Sequence, residues 1–269
     1  MEVKIAVVGL GRMGKRHVHT LLYRVPRARV VAVCTMEAHE IEWAKGNADT
    51  DVHAIQSLKA IDKGLHVIHQ KPLNSELAEA QTVVDAARNN PHLRAMAGFS
   101  RCFDASYRDA AEKIHNGAVG KPFVVRSNTC DLLDGTGFFV GYAARNGGIF
   151  HHPELAENND HNTVGVVEFW GGKIAYFYCS RTQAHGYDNN AVLADKLGMR
   201  NEVQPDYWQR FEDAFAPEAK EFTGSVLNNT EVPLPLETGM IVMKIGQALQ
   251  HALLTREVVH FTKDGDRLN

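Results

Sequence analysis

The chain has 269 residues, 44% of them hydrophobic and 23% charged, and a formal net charge of −3. Such a composition fits a soluble chain of one large or two modest domains, and its slightly acidic balance excludes a protein that grips nucleic acid through a basic stripe. No apolar run approaches the length of a membrane span.

The first stretch, Val3-Lys4-Ile5-Ala6-Val7-Val8, reads as a buried strand rich in β-branched side chains. Gly9-Leu10-Gly11-Arg12-Met13-Gly14 follows, with the spacing G-x-G-x-x-G. Residues 15–24 are predicted to form a helix with Val18, Leu21, Leu22 and Val25 on one side, and 28–34 a second apolar strand. A helix over 37–45 is stopped by Gly46-Asn47. Another over 52–63, with Val52, Ile55, Leu58 and Ile61 at spacing three, is closed by Gly64. Residues 65–69 read as a strand running into Gln70-Lys71-Pro72-Leu73. Asn74 or Ser75 caps a helix whose Leu77, Ala80, Val83, Val84 and Ala87 make an apolar face. A strand over 93–99 and a helix over 106–115, ended by Gly117, complete the first half.

The texture changes near Gly120, where a boundary between domains 1–120 and 121–269 is expected. Residues 122–128 alternate as a strand, and a glycine-rich stretch follows from 135 to 148. Strands over 164–170 and 173–180 flank Gly171-Gly172 as a hairpin. An aromatic helix over 207–222 contains Pro217, expected to kink or break it. The last helix, over 236–254, is predicted to bury Ile241, Ile245, Ala248, Leu249 and Ala252, with a short strand over 258–261 after it. There are no internal repeats.

The glycines sit where a strand becomes a helix inside a βαβ unit, the setting that gives this motif its meaning. Gly9 permits a tight turn, Gly11 lets a pyrophosphate approach the backbone, and Gly14 lets helix and strand pack closely. The N–H groups around Gly11, Arg12 and Met13 then face the anion. A glycine turn that binds nothing is the alternative; strand, motif, helix and second strand falling in register argue against it. An acid is expected about 20 residues on, to hold ribose hydroxyls. That position reads Cys34-Thr35-Met36-Glu37, with no acid at the strand end and no nearby arginine for a 2′-phosphate, so NAD and NADP both stay open. The 4 cysteines, Cys34, Cys102, Cys130 and Cys179, form no C-x-x-C pair and read as reduced, mostly buried thiols. With no signal peptide ahead of the first strand, a cytoplasmic protein is expected. Among the 14 histidines, His17, His19, His66 and His69 show no ligand spacing, and no metal is predicted.

Taken together, Gly9 to Gly14, Gln70-Lys71-Pro72, Gly98-Phe99 with Arg101 and Phe103, and Gly147-Gly148 resemble the Gfo/Idh/MocA oxidoreductases, in their inositol-dehydrogenase-like branch. The resemblance spans both halves of the chain. It implies an α/β protein: a Rossmann-type parallel-sheet domain, then an α+β domain with an open, mainly antiparallel sheet. It also implies hydride transfer between NAD(P) and a sugar, polyol or cyclitol, in a homo-oligomer built through the second sheet. The family signature Glu-Lys-Pro reads Gln70-Lys71-Pro72 here. Lys71 is the expected catalytic residue, its ammonium offsetting charge on a developing alkoxide or, with its pKa lowered, moving the proton itself. Gln70, Lys71 itself and Pro72 join Gly9, Gly11, Arg12, Met13, Gly14 and Thr35 as expected cofactor contacts.

Two departures from the family pattern stand out. Its Asp-x-x-x-His after the Gly-Gly pair is absent. His151, His152 and the Asp160-His161 pair are stand-ins by position only, and read better as loop residues. The interval from Cys34 to Val52 is also too short for the strands and helix of a full nucleotide domain, since one βαβ unit takes roughly 30 residues. Either 65–69 pairs directly with 3–8, giving the sheet order 28–34, 3–8, 65–69, 93–99, or a strand-wide gap separates them. The family fit of the flanking segments favours the gap. A catalytically impaired paralogue, binding nucleotide or a protein partner without turnover, is the second reading. A structural homo-oligomer subunit is the third.

Overall fold

The computed structural model describes residues 1–47, 51–52, 57–74, 76–132, 162–183, 187–188 and 207–268. They form two compact units, Met1–Phe103 with Asp213–Asn269, and Asp104–Glu212. The boundary expected near Gly120 therefore falls inside the second unit. The cause lies in the last two helices, whose apolar faces complete the cores of the N-terminal strands.

The first unit begins with β1 (Val3–Val8), α1 (Arg12–Arg24) and β2 (Ala28–Cys34). β1 and β2 pair in parallel, from Val3 opposite Ala28 to Val8 opposite Cys34. α1 buries Val18 and Leu21, with Val25 behind them, but Leu22, expected on the same face, is 39% exposed. After α2 (Ala38–Asn47), β3 (Asp51–Val52) adds in parallel to the far edge of β2. Val52 is thus in a strand and not in the helix that its spacing to Ile55 and Leu58 suggests. The open backbone groups along β2 gain a partner there, which outweighs weak local periodicity. The helix that follows, α3 (Ser57–Asp62), buries Ile61.

β4 (Val67–Gln70), α4 (Leu77–Arg88) and β5 (Ala95–Gly98) make a second parallel pair, with Gln70 opposite Gly98. Both strands are shorter than expected. Glu76, not Asn74 or Ser75, is the α4 N-cap residue, and Asn74 accepts a hydrogen bond from the Glu76 N–H at 3.1 Å. Among the described residues β1 pairs only with β2, and β4 only with β5. Among the described residues the direct pairing of 65–69 with 3–8 is not made. Val8, at the interrupted edge, is 53% exposed.

Two C-terminal helices close this unit. Helix α6 (Tyr207–Asn228), whose part from Asp213 on belongs here, passes through Pro217 and continues six residues beyond the expected end at Phe222. Its Ala219 joins Leu10, Val18 and Val33 in one core, while Ala214 and Phe222 join Met96 and Phe103 in another. It therefore packs on both halves of the interrupted sheet. Helix α7 (Leu236–Thr255) sets Leu236 and Met240 into a third core with Ile61, Val67 and Val84. Ile241, expected inside, is 60% exposed. The helix is apolar on nearly every side, so periodicity could not select its face. Residues 258–261 form no strand, only a bridge from Phe261 to Arg267.

The second unit holds α5 (Ala105–His115) and a mixed sheet of β6 (Val124–Leu132), β7 (Asn162–Phe169), β8 (Lys173–Gln183) and β9 (Tyr187–Asp188). Its order is β7-β8-β6-β9, antiparallel except for the parallel β6–β8 pair. The expected hairpin is present, with Gly171 and Gly172 at φ +90 and +76. Asp104 caps α5, accepting from the Ser106 and Tyr107 N–H groups, and is bound by Arg210 at 2.8 Å. Val124, Val164, Val166 and Ile174 lie on one face of the sheet and are exposed.

No helix among the described residues is long and apolar enough to cross a membrane.

Candidate functional site

The turn after β1 is fixed by backbone before any ligand is considered. The Gly9 N–H donates to the Cys34 carbonyl at 2.7 Å, and Gly9 has φ +85, a conformation glycine adopts without strain. A Cβ on Gly14 would lie 1.8 Å from the Gly9 carbonyl oxygen, so only glycine lets α1 start so close to the strand. Gly11 is the reverse case. It precedes α1 with an ordinary φ of −57, and a Cβ there would meet nothing within 4 Å. The first turn of α1 has no side-chain cap and no acidic residue. Backbone N–H groups and the positive end of the helix dipole thus border open space, the arrangement that suits a phosphate. The glycine turn fits a dinucleotide pyrophosphate.

At the end of β2, the Thr35 hydroxyl hydrogen-bonds the Glu40 carboxylate and accepts from the Glu37 N–H at 3.1 Å. Glu40 is buried at 8% exposure, whereas the Glu37 side chain is 67% exposed. The acid at this strand end is therefore supplied from the first turn of α2. The sequence reading missed Glu40 because it lies beyond the strand; its five-residue offset from Thr35 is the available signal.

Gln70-Lys71-Pro72 leaves the C-terminal end of β4, and the Lys71–Pro72 peptide is cis. Lys71 is exposed, but its neighbours are not free to move. Gln70 crosses Gly98 of β5, where a Cβ would sit 2.6 Å from the Gln70 amide nitrogen. That amide hydrogen-bonds the carboxyl of Glu218 on α6. On the other side, Leu73 is 4% exposed and fills the space left by Gly239 of α7. The structure thus gathers Gly9 to Gly14 with Thr35 at one place, and Gln70, Lys71 and Pro72 at the end of β4. His151, His152 and Asp160-His161 lie outside the described residues, as does Gly147-Gly148. Among the described residues no cluster of three or more His, Cys, Asp or Glu is placed to hold a metal.

Two titratable groups, the buried Glu218 and the half-buried His17, accompany the site. Burial pushes the Glu218 carboxyl up to about 8, against a lowering contribution from Gln70. Burial also pushes His17, whose ring meets Phe215 edge-on at 5.3 Å, down to about 4. Folded Glu218 holds its proton where the unfolded side chain, at the ordinary 4.5, has lost it. Its contribution to stability therefore falls as pH rises from 4.5 to about 8. His17 acts in the opposite direction, its contribution falling as pH drops from 6.5 to about 4. The slopes oppose each other where the windows overlap, and Glu218 acts alone from 6.5 to about 8. Urea denaturation should show about 2 kcal/mol of stability lost across that upper window. Glu218→Gln should flatten the loss.

No family model matches the chain. The scyllo-inositol 2-dehydrogenase (NAD(+)) of Bacillus subtilis (strain 168) is 24% identical over 298 aligned positions, covering 84% of this chain and 87% of that protein. The inositol 2-dehydrogenase/D-chiro-inositol 3-dehydrogenase of Lacticaseibacillus casei is 29% identical, covering 84% and 85%. The first alignment is longer than the 269 residues of this chain, so the relative carries internal residues that this chain lacks, in accord with the interrupted sheet. The fold is that of the scyllo-inositol dehydrogenase from Lactobacillus casei solved with NAD(H) and scyllo-inositol. The TM-score is 0.83 at 21% identity, covering 96% of this chain and 98% of that one.

Proposed function

We infer that this chain, a member of the Gfo/Idh/MocA oxidoreductases, is an NAD-dependent dehydrogenase that oxidises a ring hydroxyl of a cyclitol. The observation that carries the reading is the glycine turn, with Gly14 packed against Gly9 and open space over Gly11. NAD bound there would supply the acceptor for the hydride leaving the carbinol carbon. The backbone around Gly11, Arg12 and Met13 would hold the pyrophosphate. Thr35, with Glu40 behind it, would lie at the ribose, and the absence of an arginine just after Cys34 supports NAD over NADP. Gln70, Lys71 and Pro72 would border the nicotinamide end. Lys71 would hydrogen-bond the reacting hydroxyl and either stabilise the alkoxide or accept the proton as the hydride departs.

Dinucleotide binding is proposed within residues 1–120, with the helices from Asp213 on completing that unit, and substrate binding and self-association within 121–269. The exposed apolar face of Val124, Val164, Val166 and Ile174 supports a homo-oligomer formed through the sheet. Cys34, Cys102, Cys130 and Cys179 are all free thiols, though two of the four are exposed, which supports a reducing, cytoplasmic setting.

The test is nicotinamide absorbance with purified protein, NAD, and myo-, scyllo- or D-chiro-inositol in turn. Turnover with at least one cyclitol is expected. NAD binding by titration with no turnover on any of them selects the second reading, a nucleotide-binding paralogue. Glutamine at 70 and the absent Asp-x-x-x-His pattern favour that reading.

A further inference from the structure

We propose that half-buried Gln70 and buried Glu218 form a matched positioning pair that fixes the Lys71 turn, so that glutamine in the family's glutamate position is compensated from α6. The proposal rests on the reading of Lys71 as the proton-handling residue. It is carried by three contacts. Glu218 is 1% exposed, and Gln70 hydrogen-bonds its carboxyl while Oε1 has no partner. Gly98, opposite Gln70 in the β4–β5 register, leaves the space that the Gln70 side chain crosses, since a Cβ there would lie 2.6 Å from its amide nitrogen. Leu73 is held in the gap at Gly239.

Lys71 and Pro72 are therefore spanned by two anchors, half-buried Gln70 held to the buried Glu218 and the buried Leu73. An anchor on each side fixes where the lysine, itself an exposed residue, leaves the backbone. The polar anchor has chemical selectivity that an apolar one lacks. A glutamate at 70 would set a second carboxylate against the buried Glu218, and like charges in contact there disfavour ionisation of both. One would keep its proton or the pair would separate, and separation would move Lys71. The amide removes that conflict, because it donates to the carboxyl and carries no charge. The signature residue and α6 are thus read as one unit, with the acid on the helix and the amide on the strand.

The test compares wild type, Gln70→Glu, Glu218→Gln and the exchanged double variant Gln70→Glu/Glu218→Gln. Each is measured for NAD affinity, for cyclitol turnover and for the pH dependence of trace acylation of the Lys71 amine, read by peptide mass spectrometry. Gln70→Glu should lower kcat by about tenfold and shift the Lys71 acylation profile. The exchanged variant should return both to within about threefold of wild type. A merely structural contact would change stability but would not restore the acylation profile on exchange. Unaltered Lys71 acylation in Gln70→Glu, or an exchanged variant no nearer wild type, overturns the proposal. If Gln70→Glu does not fold, Gln70→Met removes the amide without adding charge, and unaltered Lys71 acylation there has the same force. Acylation needs no turnover, so a wild type inactive on every cyclitol would overturn the functional reading and leave this pair still decided.

Discussion

Lys71→Met is expected to lower kcat for cyclitol oxidation by about a thousandfold while NAD Kd stays within about threefold. Methionine has a similar length and no charge, so the substitution removes the ammonium and little else. Lys71 is exposed, and the residues on either side of it, Gln70 and Leu73, are packed against Gly98 and Gly239. Thermal stability should therefore change by less than about 1 kcal/mol. An interaction made mainly with a developing alkoxide lowers kcat and kcat/KM together, so both should fall in step. Steady-state kinetics with isothermal titration of NAD checks this. A retained kcat would assign proton handling elsewhere, with His151, His152 and His161 the next residues to replace.

Gly11→Val and Gly14→Ala should separate binding from folding within one motif. Gly11 has ordinary backbone angles and open space where a side chain would project. Valine there should leave stability nearly unchanged and fill the approach to the helix N-terminus. NAD affinity should fall about a hundredfold or more, equivalent to about 2.7 kcal/mol. Gly14→Ala places a methyl group 1.8 Å from the Gly9 carbonyl, which α1 can relieve only by moving off the strand. Overpacking of that kind costs about 3 kcal/mol. Urea unfolding should report that loss for Gly14→Ala and almost none for Gly11→Val. Undiminished NAD binding in Gly11→Val would remove the glycine turn from the cofactor site.

Much of this was legible in the sequence because it is local. The strand–glycine–helix–strand order from Val3 to Cys34 needs only period, propensity and turn chemistry, and β2 keeps its expected bounds. The same holds for the Gly171-Gly172 hairpin. The misreadings occur where distant chain decides. Val52 joined β2 because an edge needed a partner, and α7 presents Met240 instead of Ile241 because Leu73 and the β4–β5 core meet it there. Glu218 was illegible for the same reason. An acid on an amphipathic helix normally faces water, and nothing near position 218 announces a partner at position 70. The missing central strand could be inferred from spacing, yet only the hydrogen-bond pattern separates a closed sheet from an interrupted one.

The arrangement of the first unit also bears on how the protein is made. Its cores require Ala214, Ala219 and Phe222 from α6 and Leu236 and Met240 from α7. On the ribosome, the first hundred or so residues emerge long before those helices are synthesised. At about 5–20 residues per second, the N-terminal strands wait several seconds with their apolar faces uncovered. The intervening Asp104–Glu212 unit, made wholly from one continuous stretch of chain, can close first. Chain order therefore lets the middle of the protein be complete in sequence before the unit that contains its beginning can be.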